Sequence, residues 1–312
     1  MIASSAGIPR IVLESDMFAD VDDVGALAIA LHLAQAGIIS LDAVGINTPS
    51  RWGPRTAAVV CAHHGADVPI GHHARTTDDV WENDYARAVA EHFASTPGRT
   101  PEPATLVLRR ALAAAEDGAI TVTSIGFFAN LNALLASAPD EWSALSGAEL
   151  VERKVGRTVV MGGQFPWGRE FNLAEHAPEA MEFLDSWPGS VDFVGFETTE
   201  HVVTGRHLAE RLGAENPVAL AYETFCGVGV GRPSWDLLTI YLAAFPDSPL
   251  VTWSPPGELV LERDGWNRWT TGGKTARHRH ALVTVGETEL AAVLDAWLEG
   301  KVEAPRGSHA PV

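Results

Sequence analysis

Short apolar runs alternate with longer helix-like segments through the first two hundred residues, and this alternation constrains the fold more than any other feature. Apolar runs rich in Val and Ile predict buried strands, and the Ala-rich segments between them predict helices. The predicted strands are 10–14, 40–46, 68–71, 120–125, 157–161 and 191–196. The predicted helices are 24–36, 54–64, 85–93, 104–115, 131–136 and 178–186. This order is typical of βαβ units, so we expect an α/β fold with a mainly parallel central sheet and helices on both faces.

The C-terminal part of the chain has a different pattern. Residues 250–285 contain short β-like runs separated by Pro and Gly turn signals, which predict a small antiparallel extension. Residues 287–298 predict a closing helix. We find no linker that would divide the chain, so we expect one domain over 1–300 and a C-terminal tail over 301–312.

The overall charge excludes several classes of partner. The 312 residues carry 40 acidic and 22 basic side chains, a formal net charge of −18. A surface this acidic argues against binding nucleic acid or an anionic membrane, and it is compatible with a small neutral substrate and a divalent cation. No apolar run is long enough to span a membrane and no signal peptide is evident, so we expect a cytoplasmic protein.

An unusually acidic segment follows the first predicted strand. Glu14, Asp16, Asp20, Asp22 and Asp23 lie within ten residues, between that strand and the first predicted helix. The carboxyl ends of parallel strands are where ligands bind in open α/β sheets. So many carboxylates cannot stay close together unless a cation or protons neutralise them.

Several kinds of site have an acidic loop. An EF-hand loop starting at Asp16 would need Gly at its sixth position and Glu at its twelfth, where this chain has Val21 and Leu27. A phosphoryl-transfer aspartate would need basic phosphate ligands nearby, and the segment has none. Acids at a helix N-terminus are favourable in themselves, but this explains one or two of them. A hard-cation site is the best account, with one carboxylate acting as general base for an activated water.

The segment Glu14 to Ala28 resembles the opening motif of the inosine–uridine-preferring nucleoside hydrolase family. The usual motif is Asp-x-Asp-Pro-Gly-x-Asp-Asp, and a divergent branch has Asp-x-Asp-x-Gly-x-Asp-x-Asp-Asp followed by Ala-Leu-Ala. This chain differs in having Phe18 where the branch has Gly, and two extra residues precede its Asp22-Asp23 pair. The resemblance implies that Asp16 binds Ca²⁺ and deprotonates its water. It also implies that Asp23 is a metal ligand and Asp22 a ribose contact, while Asp20 is a further candidate ligand.

Later segments extend the resemblance to residues 11–298. Asn47 ends the second predicted strand, where the family has an Asn that contacts the sugar. Ala129 precedes an Asn at the position whose backbone carbonyl binds calcium in the family. Glu170 and Asn172 match a Glu-Phe-Asn element whose polar side chains hold ribose hydroxyls, with the phenylalanine between them pointing away. Without the resemblance, Asn47 would be an ordinary turn residue and residues 162–172 a Gly-rich loop.

Trp235 and Asp236 resemble the Ser-Trp-Asp element of the divergent branch, where most of the family has His-Asp. The resemblance implies that Asp236 is the last metal ligand; by itself it would be an ordinary helix N-cap. Trp235 cannot donate a proton to a departing base, although an indole ring can stack on one, and it can equally be a packing residue.

The sequence therefore predicts a calcium-dependent hydrolase of the N-glycosidic bond of a ribonucleoside or related ribosyl compound. Phe18 and the missing His leave open a non-catalytic protein that binds or senses a ribosyl ligand on the same fold. The resemblance also implies a homodimer or homotetramer.

Overall fold

The observed elements follow the predicted alternation of strands and helices. A computed structural model describes residues 8–77, 84–273 and 275–301. Its strands are β1 (Arg10–Ser15), β2 (Ser40–Ile46), β3 (Ile70–His72), β4 (Glu102–Pro103), β5 (Ile120–Ile125), β6 (Val155–Met161), β7 (Trp167–Gly168), β8 (Asp192–Val194), β9 (Val203–Thr204), β10 (Arg232–Pro233), β11 (Val251–Trp253), β12 (Gly257–Leu261), β13 (Asn267–Thr271) and β14 (Arg279–Val283). Its helices are α1 (Asp22–Gln35), α2 (Trp52–His63), α3 (Tyr85–His92), α4 (Ala104–Ala113), α5 (Ala129–Leu135), α6 (Gly147–Lys154), α7 (Phe171–Ala174), α8 (Ala177–Ser186), α9 (Leu208–Leu212), α10 (Pro217–Cys226), α11 (Trp235–Ala244) and α12 (Glu287–Leu298).

The central sheet has nine strands in the order β11-β14-β8-β6-β5-β1-β2-β3-β4. Neighbouring strands run parallel except at one edge, where β11 pairs with β14 in the antiparallel sense. From β1 the chain first builds outward through β2, β3 and β4, and then returns to the other side of β1 with β5. The strand order therefore reverses between β1 and β5, and ligands bind at such a switch point in open α/β sheets.

Helices cover both faces of the sheet, as predicted. Successive side chains of a strand point to opposite faces. Ile11 and Leu13 of β1 belong to a hydrophobic cluster with α1, α2, α3, α10, α11 and α12. Val12 belongs to the opposite cluster, with α4, α5, α6 and α8. The predicted α/β class with a mainly parallel sheet is confirmed.

The predicted antiparallel extension is divided between two sheets. Strands β12 and β13 form a small antiparallel sheet with β7, which comes from an earlier part of the chain. Strand β14 instead joins the central sheet in parallel with β8 and brings β11 with it. The extension is therefore smaller than residues 250–285.

Among the residues that the structure describes, no helix has both the length and the apolar character needed to cross a bilayer. The predicted C-terminal tail, residues 301–312, lies outside the described residues apart from Lys301.

Candidate functional site

A pocket of about 360 Å³ opens at the carboxyl ends of the central strands, beside the switch point. Ile125 and Met161 come from the ends of β5 and β6, and Asp16 directly follows β1. We call this cavity the main pocket. Its lining is completed by Ala19, Asp20, Asp22, Glu170, Phe171, Asn172, Phe196, Phe225, Arg232, Trp235 and Asp236.

The loop between β1 and α1 is held by hydrogen bonds from within and from α3. The Ser15 hydroxyl donates to Asp23 Oδ1 at 2.5 Å and accepts from the Met17 amide at 3.0 Å. The Tyr85 hydroxyl accepts from the Phe18 amide at 2.7 Å and donates to the Asp20 carbonyl at 2.5 Å. These bonds fix the backbone that carries the aspartates.

Gly126 allows β1 and β5 to approach closely at the floor of this site. A Cβ atom at Gly126 would lie 2.4 Å from the Asp16 amide nitrogen and 2.8 Å from Asp16 Cγ. A side chain at this position would therefore displace either the Asp16 carboxylate or the turn between β5 and α5.

Three buried carboxylates converge beside the main pocket. Asp22 and Asp23 form the first turn of α1, and Asp236 lies in the first turn of α11, more than two hundred residues later. Each offers an oxygen within 4.8 Å of the other two, and we call them the carboxylate cluster. The Asp236 amide donates to Asp22 Oδ2 at 3.1 Å, which joins the two helix N-termini directly. Both N-termini bring partial positive charge to the cluster.

Asp16 adjoins this cluster through Asp23, with which it interacts directly. Burial, reinforced by the charges of neighbouring aspartates, raises the pKa of Asp16 and of all three cluster carboxyls well above their usual range. Asp16 Oδ2 and Asp23 Oδ2 are buried without a hydrogen-bond partner among the described residues.

These features fit a hard divalent cation. Carboxylate oxygens are the ligands such ions take, and Asp16, Asp22, Asp23 and Asp236 would hold the ion together. A buried acceptor without a partner is costly, and a bound cation would satisfy the two orphan oxygens. The sequence prediction placed Asp22 on the ribose instead, whereas the structure groups it with Asp23 and Asp236.

Asp20 has a different partner from the predicted metal ion. Its Oδ1 accepts from Arg232 Nε at 2.9 Å, and its Oδ2 accepts from Arg232 Nη2. Among the described residues, Asp20 is not part of the carboxylate cluster. The acidic segment is two residues longer than the family motif, and Asp20 within it pairs with the Arg232 guanidinium. This ion pair neutralises the additional aspartate.

Glu170 and Asn172 both line the main pocket, and their predicted contacts with ribose stay predictions. Glu170 caps α7, accepting from the amides of Asn172 at 2.6 Å, Gly163 at 3.0 Å and Leu173 at 3.1 Å. Burial nevertheless raises the pKa of Glu170 to about 7, against these three hydrogen bonds. The Asn172 amide group donates to the Met161 carbonyl at 3.3 Å. Phe171, which was predicted to point away, also lines the pocket.

Trp235 forms part of an aromatic wall of the main pocket. Its ring stacks on Phe196, with centroids 5.2 Å apart, and its Nε1 donates to the Phe196 carbonyl at 2.8 Å. Phe225 completes this wall. The pocket lining therefore combines carboxylates with aromatic rings, which suits a ligand with a polyhydroxyl part and a planar part.

Asn47 and Ala129 line a second cavity of about 400 Å³, together with His73, Arg75 and His176. Asn47 Oδ1 accepts from the Phe127 amide at 3.0 Å, and its Nδ2 donates to Glu14 Oε2 at 3.4 Å. Ile125, rather than Ala129, is the residue from this part of the chain that lines the main pocket. The predicted roles of Asn47 and Ala129 stay predictions.

Arg232 has no predicted role, although this residue lines the main pocket. It lies only three positions before Trp235, next to the Ser-Trp-Asp element. This position could have indicated that Arg232 lies near the site. Its partner Asp20 is 212 residues away, and no local pattern connects the two.

Comparison with known proteins shows similarity in structure rather than in sequence. No family model and no curated protein matches the chain. An inosine-uridine preferring nucleoside hydrolase from Bacillus anthracis superposes with a TM-score of 0.69 over 94% of this chain and 100% of that one, at 17% identity. The fold is that of the nucleoside hydrolases.

Two further solved structures have this fold. A plant nucleoside hydrolase, PpNRh1, matches with a TM-score of 0.66 at 19% identity, over 93% of this chain and 99% of that chain. The type III effector protein XopQ, solved in complex with adenosine diphosphate ribose, matches with a TM-score of 0.62 at 15% identity, over 94% and 93% of the two chains.

Proposed function

We propose that this protein hydrolyses the N-glycosidic bond of a ribonucleoside or related ribosyl compound in a calcium-dependent reaction. The observation that carries the proposal is the convergence of Asp16 with the carboxylate cluster in a pocket that also contains Glu170 and Asn172. The nucleoside hydrolases among the proteins of similar fold support it.

In this proposal the polar residues of the pocket hold the sugar. Glu170 and Asn172 line the pocket and bind ribose hydroxyls, to which Asn47 contributes from the second cavity. Fixing the ribose in this way converts binding energy into orientation of C1′ toward the attacking water.

Asp16 accepts the proton of the attacking water. A bound divalent cation supplies positive charge that lowers the pKa of water near it. The burial of Asp16 excludes bulk solvent from the proton transfer, and its neighbour Asp23 keeps it oriented. The C1′–N bond breaks as the water oxygen bonds to C1′, giving ribose and the free base.

A test of this mechanism is the release of reducing sugar from a panel of nucleosides by wild-type protein and Asp16→Asn. We expect the variant to lose roughly 10²–10⁴-fold in kcat, the usual contribution of a general base, and to keep its nucleoside affinity. A chelator should abolish release by the wild type.

Asp117→Asn is the matched control, because Asp117 is a half-exposed aspartate that precedes β5 and so lies at the opposite edge of the sheet. Its turnover should equal that of the wild type. Undiminished turnover by Asp16→Asn would remove Asp16 from the mechanism.

A second candidate is a protein that binds a ribosyl ligand without cleaving it. The observation in its favour is that Trp235 stands where most of the family has His. An indole cannot protonate a leaving base, and the Nε1 hydrogen of Trp235 is donated to the Phe196 carbonyl. The solved complex of XopQ with adenosine diphosphate ribose is of the same fold. Tight binding of a nucleoside in the same panel, with no sugar released in the presence of calcium, would favour this candidate. The cytoplasmic location and the homodimer or homotetramer stay predictions.

A further inference from the structure

We propose that Arg232 stabilises the departing base electrostatically, in place of a proton-donating residue, and so selects bases that leave as delocalised anions. The inference rests on the proposed hydrolysis and assigns the activation of its leaving group. It would favour planar bases whose glycosidic nitrogen is conjugated with a ring carbonyl.

The main pocket contains a single basic side chain among its described lining residues, and this is Arg232. An arginine stays protonated at any physiological pH, so it cannot act as a general acid. It can, however, place a fixed positive charge where negative charge develops in the transition state. Electrostatic stabilisation of this kind often lowers the activation barrier more than any other catalytic effect.

The guanidinium of Arg232 is held in position from three sides. Asp20 binds its Nε and Nη2 edge. Its Cζ lies 5.2 Å from the ring centroid of Phe225 and 5.3 Å from that of Trp235. No described hydrogen bond uses Nη1, whose N–H groups would therefore serve a ligand. A guanidinium held in this way needs little reorganisation when charge develops on the substrate during the reaction.

The position of Arg232 also selects the part of the substrate that it meets. Its guanidinium lies against the rings of Phe225 and Trp235, and Phe196 also lines the pocket. Planar rings stack on flat ligands. A base that enters the pocket beside the guanidinium would present its carbonyl edge to Nη1, whereas a sugar or phosphate would gain nothing from the aromatic lining.

The step balances without any further reactant. The C1′–N bond breaks and its electron pair goes to the base nitrogen, from which the charge spreads to the ring carbonyl. The water oxygen forms the new bond to C1′, and one water proton goes to Asp16. The base anion, paired with Arg232, takes up a proton from solvent when it is released, and Asp16 returns its proton to solvent.

Leaving groups of different basicity test this role. Inosine and uridine release basic anions that need stabilisation, whereas 4-nitrophenyl β-D-ribofuranoside releases an anion that is stable unaided. We expect Arg232→Gln to lower kcat/KM for inosine and uridine by roughly 10²–10³-fold, and for the nitrophenyl riboside by less than about tenfold. Arg232→Lys, which keeps the charge but loses the planar fork, should fall between Arg232→Gln and the wild type.

Arg279 provides a matched control outside the pocket. It forms the same kind of arrangement, with Nε and Nη2 on Asp192 and its Cζ 4.6 Å from the ring centroid of Trp253. Arg279→Gln should leave the ratio of the two activities unchanged. Asp20→Asn keeps the guanidinium but removes the carboxylate that holds it. The decrease in kcat/KM for inosine should therefore be smaller in Asp20→Asn than in Arg232→Gln.

The outcomes separate this inference from the proposed function. Equal losses on both kinds of substrate in Arg232→Gln would overturn the inference and leave the hydrolase intact. A raised KM for a 5′-phosphorylated nucleoside, with kcat unchanged, would make Arg232 a phosphate ligand and also overturn it. Wild-type protein that cleaves none of these compounds would overturn the proposed function and, with it, the inference.

Discussion

Phe18 has a backbone conformation that favours glycine, in the loop that carries the aspartates. Its φ is +125°, while its side chain is only 7% exposed and its amide donates to the Tyr85 hydroxyl. Side chains with a Cβ atom are strained at positive φ, by about 1–3 kcal/mol. The motif of the divergent branch has Gly at this point. Burial of the Phe18 ring offsets the strain, because a buried aromatic side chain contributes a similar or larger amount.

The two truncations of Phe18 should therefore have an unusual order of stability. Phe18→Ala loses the buried ring and keeps the strain, whereas Phe18→Gly loses the ring and relieves the strain. We expect the Gly variant to be more stable than the Ala variant by about 1 kcal/mol in urea denaturation.

The neighbouring Met17 is a control for this comparison. It is fully buried and is not among the residues with positive φ, so Met17→Ala should be more stable than Met17→Gly. If Phe18→Ala also proves the more stable of its pair, the backbone at Phe18 is not strained.

At the scale of elements, the site depends on how closely β1, β5 and the first turns of α1 and α11 approach one another. Each element contributes one or two polar groups, and the distances between elements decide whether these groups meet. Gly126 sets one of these approaches, because its α-carbon faces the backbone and side chain of Asp16.

Gly126→Ala should damage both stability and activity. The added methyl group would lie 2.4 Å from the Asp16 amide nitrogen, so two backbone segments must separate. We expect a loss of about 1–3 kcal/mol in the free energy of unfolding, as for other overpacked cores. We also expect turnover to fall by about tenfold or more, because small displacements of reacting groups are costly.

Gly286→Ala is the corresponding control. A Cβ atom there meets nothing within 4 Å, and the φ of Gly286 is −72°. Its stability should stay within about 1 kcal/mol of the wild type and its turnover should not change. A Gly126→Ala protein with wild-type turnover would show that the spacing of β1 and β5 tolerates change.

Local sequence signals predicted much of this framework. Helix α1 begins two residues before the predicted start, because Asp22 and Asp23 form its first turn. Helices α6 and α10 were not predicted, although Ser146 with Glu149 forms a capping box and Asn216-Pro217 begins α10 with a capping Asn and Pro.

Other features had no local signal that could have predicted them. The place of β14 beside β8 depends on pairing across almost ninety residues. Likewise, the sequence brought Asp16, Glu170 and Asn172 into one prediction, but it could not show that Asp20 faces Arg232 or that Asp22 joins Asp236. These contacts are decided by how α11 packs on α1, and a single sequence does not encode that in any short pattern.

For the whole molecule, the concentration of buried carboxylates is a source of instability that a cation would relieve. Four aspartates with raised pKa values lie together at the centre of the sheet. Ionising them in the absence of a cation costs folding free energy, since the charges repel one another and are buried. Stability should thus depend on the ion as well as on the sequence.

Calcium should raise the melting temperature of protein treated with a chelator. A ligand at a hundredfold excess over its dissociation constant adds about 2.7 kcal/mol, which corresponds to roughly 4 °C for a chain of this size. Asp236→Asn removes one cluster carboxylate and should abolish the shift, while Asp117→Asn should keep it. Differential scanning calorimetry measures this, and an equal shift in Asp236→Asn would place the ion elsewhere.

The contact between Asp20 and Arg232 also has a consequence for biosynthesis. A ribosome that adds about 5–20 residues per second releases the acidic segment some ten seconds or more before Arg232 and α11. During that interval β1 and α1 exist without the arginine that neutralises Asp20 and without the third carboxylate of the cluster. The carboxylate cluster is consequently completed late in translation. A nascent chain that stalls before α11 would expose a segment of mutually repelling aspartates instead of the complete cluster that we propose as the cation site.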